Sequence, residues 1–402
     1  MKKTSVPIGR PSPLRHTNAR GILKLLRENG SCSRADLVRA SGLSAPTVSN
    51  VVKDLLSVGL VEPLGEGQSG GGRPPDMFRF KAERGCLMGV EITALNISIL
   101  LTDLNGIEMD RMDVSLARRK TTPIAICGLI WKEPRGLLRK HMKSRDKLLA
   151  LVVGVPAITN VEDGSVLSIS TLEGWRSVPL RAMLSKIAGC LVIVENDTNL
   201  AAQGEHFCGS ARGVEDFVFI NIGNNVGAGI FLGGRIHHGA EWSAGEIGYL
   251  RLPSTSRRQI TIHEFGELET VLTGPGNLKS WGEACNKSSR GADNQYLSAL
   301  DVFNLAHAGD ARAVKIARQR SETVADIVVN LSLILNPGLI VLGGEIGSHP
   351  TLIDFVQKQL ESGEFAVPEI ASSPVDRRAV LWGGISLALE ALPSVLLPQA
   401  AL

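Results

Sequence analysis

The stretch INIGNNVGAGIFLGG, residues 220–234, decides how the body of the chain is read. Two runs of β-branched and aliphatic residues flank a turn, and five glycines fall in its last twelve positions. That pattern predicts a β-hairpin whose loop lets another group come close to the backbone. A phosphate is the usual guest of such a turn, so the loop asks whether this chain binds a nucleotide or keeps the shape for another purpose.

Strand and helix signals alternate on both sides of the loop. LMGVEITALNISILLTDLNG (87–106) reads as a strand, a turn, a second strand and a hairpin turn at Asn105-Gly106. LLALVVGVPAI (148–158) and CLVIVEND (190–197) are buried strands, and TNLAAQGEHF (198–207) continues the second as a helix. VADIVVNLSLILNPGLIVLGGEIG (324–347) gives a long apolar helix, a Pro-Gly stop and a strand. Glycine-bearing loops at strand ends with helices between them predict a large α/β body of two lobes, with ligands where strand ends face one cleft.

The length of 402 residues exceeds one hydrophobic core, so two or three domains are expected. A composition 44% hydrophobic and 21% charged is that of a soluble globular protein. The N-terminus lacks an apolar signal core and no run of eighteen apolar residues occurs, which predicts a cytoplasmic protein with no membrane partner. The six cysteines (Cys32, Cys86, Cys127, Cys190, Cys208 and Cys285) stand singly, as reduced thiols do, without a C-x-x-C pair.

The net charge of +3 is unevenly placed. Residues 1–84 hold 14 Lys/Arg against 7 Asp/Glu, whereas the remainder holds 29 against 33. A basic head on a mildly acidic body points to a polyanionic partner for the head alone. Its sequence agrees. TNARGILKLLREN (17–29) is an amphipathic helix ended by Gly30. Ser33 caps a second helix in an S-x-x-D box with Asp36, Gly42 supplies a sharp turn, and Ser44 caps a third helix with Pro46 in its first turn. On that third helix Val48, Val51, Val52, Leu55 and Leu56 form the buried stripe. This is a helix-turn-helix, and Ser44, Ala45, Thr47, Asn50 and Lys53 are its candidate contacts to double-stranded DNA. Residues 60–64 and MFRF (77–80) bracket GEGQSGGGRPP as a wing, whose Arg73 suits a narrow minor groove. A helical hairpin for protein contacts is the competing reading, and caps, turn, charge and wing together favour DNA.

The ordered run of ENDTNLAAQGE, NIGNNVGAGIFLGGRIHHGAEWSAGEIG, ELETVLTGPG and LNPGLIVLGGEIG, roughly over residues 86–390, resembles the ROK family of repressors and sugar kinases. The head with its SGGGRPP wing is similar to the repressor branch of that family. The resemblance implies an α/β fold: an N-terminal winged helix-turn-helix followed by a bilobal actin-like, ribonuclease-H-like ATPase-type body. The domains then run 1–82 for the head, 83–200 for the first lobe and 201–402 for the second. The C-terminal helix is expected to pack back on the first lobe.

A kinase of this family needs a phosphate grip, a base and sugar contacts. In its N-D-x-N motif, here Asn196-Asp197-Thr198-Asn199, the aspartate is the base. Asp197 has two further readings: acceptor for a sugar hydroxyl, or helix cap. The grip departs from the family. The kinase motif D-x-G-G-T is Glu91-Ile92-Thr93-Ala94-Leu95, and G-T-G-x-G-G-G is Gly223-Asn224-Asn225-Val226-Gly227-Ala228-Gly229. Side chains at these glycine positions argue against ATP chemistry.

The family zinc site departs as well. Tyr249 stands for its His, while Ile260, Ile262 and Glu267 stand for its thiolates, so neither metal nor cofactor is expected. Packing of Ile260, Ile262 and Phe265 is expected to hold that loop instead. Sugar contacts survive in part. Glu246 and Glu269 match the two sugar-binding glutamates, Asn196 and Asp197 the hydroxyl-binding pair, and Gly174-Trp175 the closing loop, with Thr171 in place of its Asn. Trp175 reads equally as core filling. Glu241-Trp242 stands for Asn-Gly, and with Tyr249 the pocket is altered, leaving pentose, amino sugar, inositol or no ligand open. His237-His238 reads as loop surface. The expectation is a homodimeric or homotetrameric DNA-binding regulator, repressing until a small sugar or polyol binds. Its rivals are a sugar kinase with a DNA-binding head and a ligand-independent scaffold controlled by a partner protein.

Overall fold

The computed structural model describes residues 13–67, 74–142, 147–169, 172–252, 255, 264, 266–286, 298–361, 368–375 and 378–397. Chain order begins with α1 (Pro13–Asn29), β1 (Ser31–Ser33), α2 (Arg34–Ser41), α3 (Ala45–Ser57), β2 (Val61–Glu66) and β3 (Asp76–Phe80). The local signals are realised. Ser33 and Asp36 form the reciprocal capping box, Gly42 ends α2 at φ 68, and the Ser44 side chain accepts the Thr47 N–H. Two features differ from the sequence reading. The first helix starts one turn earlier, at Pro13. Ser31–Ser33, three residues too short to show a period, form a strand that pairs antiparallel with β3 and completes a three-stranded wing sheet.

The first lobe contains β4 (Gly85–Ile92), β5 (Asn96–Asp103), β6 (Glu108–Ser115), α4 (Pro123–Lys132), α5 (Arg135–His141) and β7 (Lys147–Val155). A small sheet of β8 (Thr159–Asn160), β9 (Ser165–Ser168) and β10 (Arg176–Val178) follows, then α6 (Leu180–Ala188) and β11 (Leu191–Asn196). Helix α7 (Asp197–Cys208) leads into β12 (Phe217–Ile222), β13 (Val226–Leu232) and β14 (Arg235–Ile236). The second lobe continues with α8 (Glu267–Leu272), α9 (Gly274–Asn286), α10 (Ala299–His307) and α11 (Ala311–Leu335). It ends with β15 (Leu339–Gly343), α12 (Gly344–Gly347), α13 (Pro350–Leu360) and β16 (Glu369–Ser372), before α14 (Ala379–Leu396) closes the chain.

The two large sheets repeat one topology. The first runs β11-β7-β4-β5-β6 and the second β16-β15-β12-β13-β14. In each, the first three strands are an antiparallel meander and the last two add in parallel. The β4–β5 turn of one lobe is therefore the counterpart of the β12–β13 loop of the other. This is the bilobal actin-like body, with the winged helix before it.

Helices α7 and α14 lie between the lobes. Helix α14 rests on β4 and β7, close enough that a Cβ on Gly89 would meet the Leu381 carbonyl oxygen at 2.7 Å. Helix α7 packs on α14 and on β12 and β13. One continuous core joins these helices, the facing sides of both sheets and the interior of the winged helix, from Ile22, Leu37 and Val52 to Leu200, Phe219 and Ile385. Among the described helices, α14 alone has the length and hydropathy of a membrane span, and its place between α7 and the first sheet accounts for that apolarity.

Candidate functional site

The candidate site lies where β4, β11 and the start of α7 meet the β12–β13 loop and the segment after β14. β11 ends at Asn196, whose side chain accepts the Asn199 N–H and donates to the Ala157 carbonyl at 3.1 Å. Asn196 is therefore the cap of α7, and Asp197 is released from that role. The Asp197 carboxylate accepts the Thr198 N–H at 2.7 Å and is approached by the Asn225 amide at 3.5 Å. Burial pushes its pKa up to about 6 against these hydrogen bonds.

Three more carboxyls surround it. Burial, then the charges of Asp197 and Asp113, push Glu91 up to about 8. Burial, then Asp197 and Glu269, push Glu246 up to about 7. Glu269 is raised by burial although it accepts the Gly266 N–H at 2.8 Å. Among the described residues none of the four makes an ion pair. Four carboxyl groups thus gather at one place, each with its charged form disfavoured by burial.

The glycine-rich loop explains itself at closer range. A Cβ on Gly227 would sit 3.0 Å from Thr198 Oγ1, and one on Gly229 would sit 2.5 Å from the Ala202 Cβ and 2.7 Å from the Thr198 carbonyl oxygen. These glycines let β13 lie against α7. The loop itself is closed by side chains. The Asn221 amide donates to Asn225 Oδ1 at 2.7 Å, and the Gly223 N–H donates to the Asn225 carbonyl at 3.1 Å. In the β4–β5 counterpart, Thr93 Oγ1 accepts the N–H groups of Leu95 and Asn96 at 3.3 and 3.0 Å. Both turns direct donors inward to their own residues.

Other expected site residues are placed differently. Trp175 is 1% exposed in the outer core of the first lobe and its indole N–H donates to the Thr121 carbonyl at 2.7 Å. It presents no surface to a ligand, so the core-filling reading replaces the ligand contact. Tyr249 directs its hydroxyl to the Glu264 carbonyl at 2.7 Å and its pKa is pushed up to about 12 by burial and the nearby glutamates. That bond joins the turn at 247–249 to Glu264. Ile260, Ile262, Phe265 and Thr171 lie outside the described residues.

His238 is not loose surface. Its Nε2 pairs at 2.7 Å with the buried Glu195, which also accepts from Asn199 and from the Asn196 N–H, and the Glu195 bond raises the His238 pKa. This bond ties the segment after β14 to the end of β11. Trp242 adopts φ 55, the left-handed region that the family's glycine enters freely. The glycine it replaces was the only sequence signal for that strain.

On the head, α3 turns Val48, Val51, Val52 and Leu55 inward and leaves Ala45, Pro46, Ser49, Asn50 and Lys53 exposed. Ser49 extends the expected contact row, and Leu56 is only half-buried. Ser44 and Thr47 share a hydroxyl bond of 2.8 Å. Several basic residues are paired within the head: Arg15 with Asp54, Arg34 with Asp76, Arg39 with Asp36, Arg79 and Lys81 with Glu62. Lys53 has no hydrogen-bond or ion-pair partner among the described residues. It adds an exposed, unpaired cation on this face to the net basic excess of the head, which internal pairing leaves unchanged. Arg73 lies outside the described residues.

Residues 87–390 match the ROK family, and residues 15–62 match the winged helix-turn-helix DNA-binding family. The chain belongs to the ROK family. Its winged helix gives this ROK protein the architecture of the family's transcriptional regulators. A xylose repressor of Caldicellulosiruptor bescii is 25% identical over 400 residues, covering 95% of this chain and 98% of the relative. A glucokinase of Halalkalibacterium halodurans is 32% identical over 251 residues, covering 61% of this chain and 75% of the relative. Among solved structures, a ROK family transcriptional regulator homologous to the Escherichia coli MLC protein matches with a TM-score of 0.78 at 21% identity. That match covers 96% of this chain and 99% of the other, which is likeness of fold.

Proposed function

We propose that this ROK protein is a cytoplasmic, sugar-responsive repressor of carbohydrate uptake or metabolism genes, without kinase activity. The observation that carries the reading is the asymmetry of the cleft. Asp197, Glu246 and Glu269 remain as acceptors for hydroxyls, while the two turns that would grip phosphates bond to their own side chains. Two protomers of a homodimer or homotetramer would present α3 to operator half-sites, with Asn50, Ser49 and Lys53 at bases and phosphates and Ser44, Ala45 and Thr47 at the helix start. A sugar or polyol in the cleft would release the operator by binding one lobe arrangement more tightly, a coupling of about 1–3 kcal/mol. The xylose repressors among its relatives make a pentose the first effector to try.

The test is thermal unfolding of the full chain with D-xylose, D-glucose, N-acetyl-D-glucosamine or myo-inositol. At least one is expected to raise Tm, and Glu246→Ala or Glu269→Ala to abolish the rise. A chain whose Tm none of them moves would sink the effector reading. One observation favours the rival kinase reading: the Asp197 carboxyl, pushed to about 6, sits in the range of a general base.

A further inference from the structure

We propose that α7, α14 and α1 form the path by which the cleft acts on the DNA-binding head, with Gln203 and Glu390 as its positioning residues. The inference rests on the effector reading above and adds the route. Helix α7 begins at Asp197, inside the cleft, so a ligand that moves Asp197 moves the start of this helix. The helix cannot slide freely against α14. A Cβ on Gly204 would collide with the Ala379 carbonyl, and one on Gly383 with the Leu200 carbonyl, so the two backbones are in direct contact at two points. Close-packed surfaces of this kind transmit a shift and do not absorb it.

Polar contacts fix the register. The buried Gln203 amide donates to Ser386 Oγ at 2.9 Å and to Glu390 Oε1 at 2.7 Å. Glu390, bonded to α7 through Gln203, is also within reach of the charge of Lys24 on α1. Burial raises the pKa of its carboxyl, and the bonds from Gln203 and Ser386 together with the charge of Lys24 on α1 pull it back. Farther along, the Arg27 guanidinium of α1 donates to the Leu389 carbonyl at 3.0 Å, and Arg20 to the Leu397 carbonyl at 3.4 Å. Arg27 gives up hydration for that bond, as its lowered pKa records. The head is therefore held at its first helix by the backbone of α14. The other face of α1 packs on α3, and Arg15 joins Asp54 there by two bonds of 2.9 and 2.6 Å. From Asp197 to α3, every step is a packed or hydrogen-bonded contact.

The test measures amide hydrogen exchange across residues 13–29 of the full chain, with and without the sugar that raises Tm, taken from D-xylose, D-glucose, N-acetyl-D-glucosamine and myo-inositol. In the native chain the sugar is expected to change exchange there about fivefold or more, the low end of ordinary coupling. Gln203→Met is expected to keep the sugar-induced rise in Tm and to lose the change in exchange. A merely structural Gln203 lowers Tm and leaves that change in place, which overturns the route. Arg27→Met cuts the path at its other end without touching α7, so the proposal stays testable if Gln203→Met does not fold. A native-like exchange response in either folded variant overturns the proposal, as does a sugar that raises Tm of the native chain without altering residues 13–29. If no sugar raises Tm, the effector reading fails and the path fails with it.

Discussion

The β4–β5 turn and the β12–β13 loop occupy the same place in two sheets of identical order, yet they have changed in different ways. The first has lost its glycines altogether, and Thr93 folds it into a turn that bonds its own N–H groups. The second keeps Gly227 and Gly229, because α7 lies against them and leaves no room for a Cβ. Its free position, Asn225, holds a side chain that reaches from Asn221 to Asp197. Packing accounts for Gly227 and Gly229, but not for Gly223, where a Cβ would meet nothing nearer than 3.5 Å. Meanwhile Asp197, Glu246 and Glu269, the acceptors proposed for a sugar, remain.

That contrast can be broken or sharpened by substitution, and the largest effect belongs to the acceptors. Asp197→Ala and Glu246→Ala should each weaken sugar binding at least about 100-fold in a calorimetric titration, since each leaves hydroxyls without a partner. Retained affinity would move the effector elsewhere. Next, Gly229→Ala should lower the free energy of unfolding by about 2–3 kcal/mol in urea denaturation, as overpacking against Ala202 and Thr198 requires. A neutral result would mean that the glycine serves something other than packing.

Glu91→Gln acts in the opposite direction. Glu91, Glu246 and Asp197 have folded-state pKa values of about 8, 7 and 6, all above their ordinary values. The folded chain therefore holds protons that the unfolded chain has released between about pH 4 and 8, and stability falls as pH rises through that window. Removing the Glu91 charge should stabilise the chain by about 2 kcal/mol at pH 8, and flatten the fall in Tm between pH 6 and 8. An unchanged profile would show that Glu91 is solvated. The smallest effect is expected from Asn225→Gly: a loss of about 1 kcal/mol for the bonds to Asn221 and Asp197, without any gain in nucleotide binding.

What the sequence disclosed was local. Ser33 with Asp36, Gly42 and Ser44 announce the helix-turn-helix because caps and turns act over three or four residues. Both lobes follow from strand and helix periods, and the family motifs locate Asp197, Glu246 and Glu269. What stayed hidden joins distant residues. His238 meets Glu195 across 43 positions, Trp175 meets Thr121 across 54, and Asn225 meets Asp197 across 28. No period or spacing encodes such pairs. The head teaches the same lesson about charge, because its basic count does not say which cations are paired, as Arg15, Arg34 and Arg79 are.

The most direct measurement is ADP production from ATP by the full chain in the presence of the sugar that raises its Tm. Turnover no greater than in buffer is expected, while the same sugar binds and releases operator DNA. Sugar-dependent turnover that disappears in Asp197→Asn would contradict that expectation, and would make this ROK protein a kinase with a DNA-binding head.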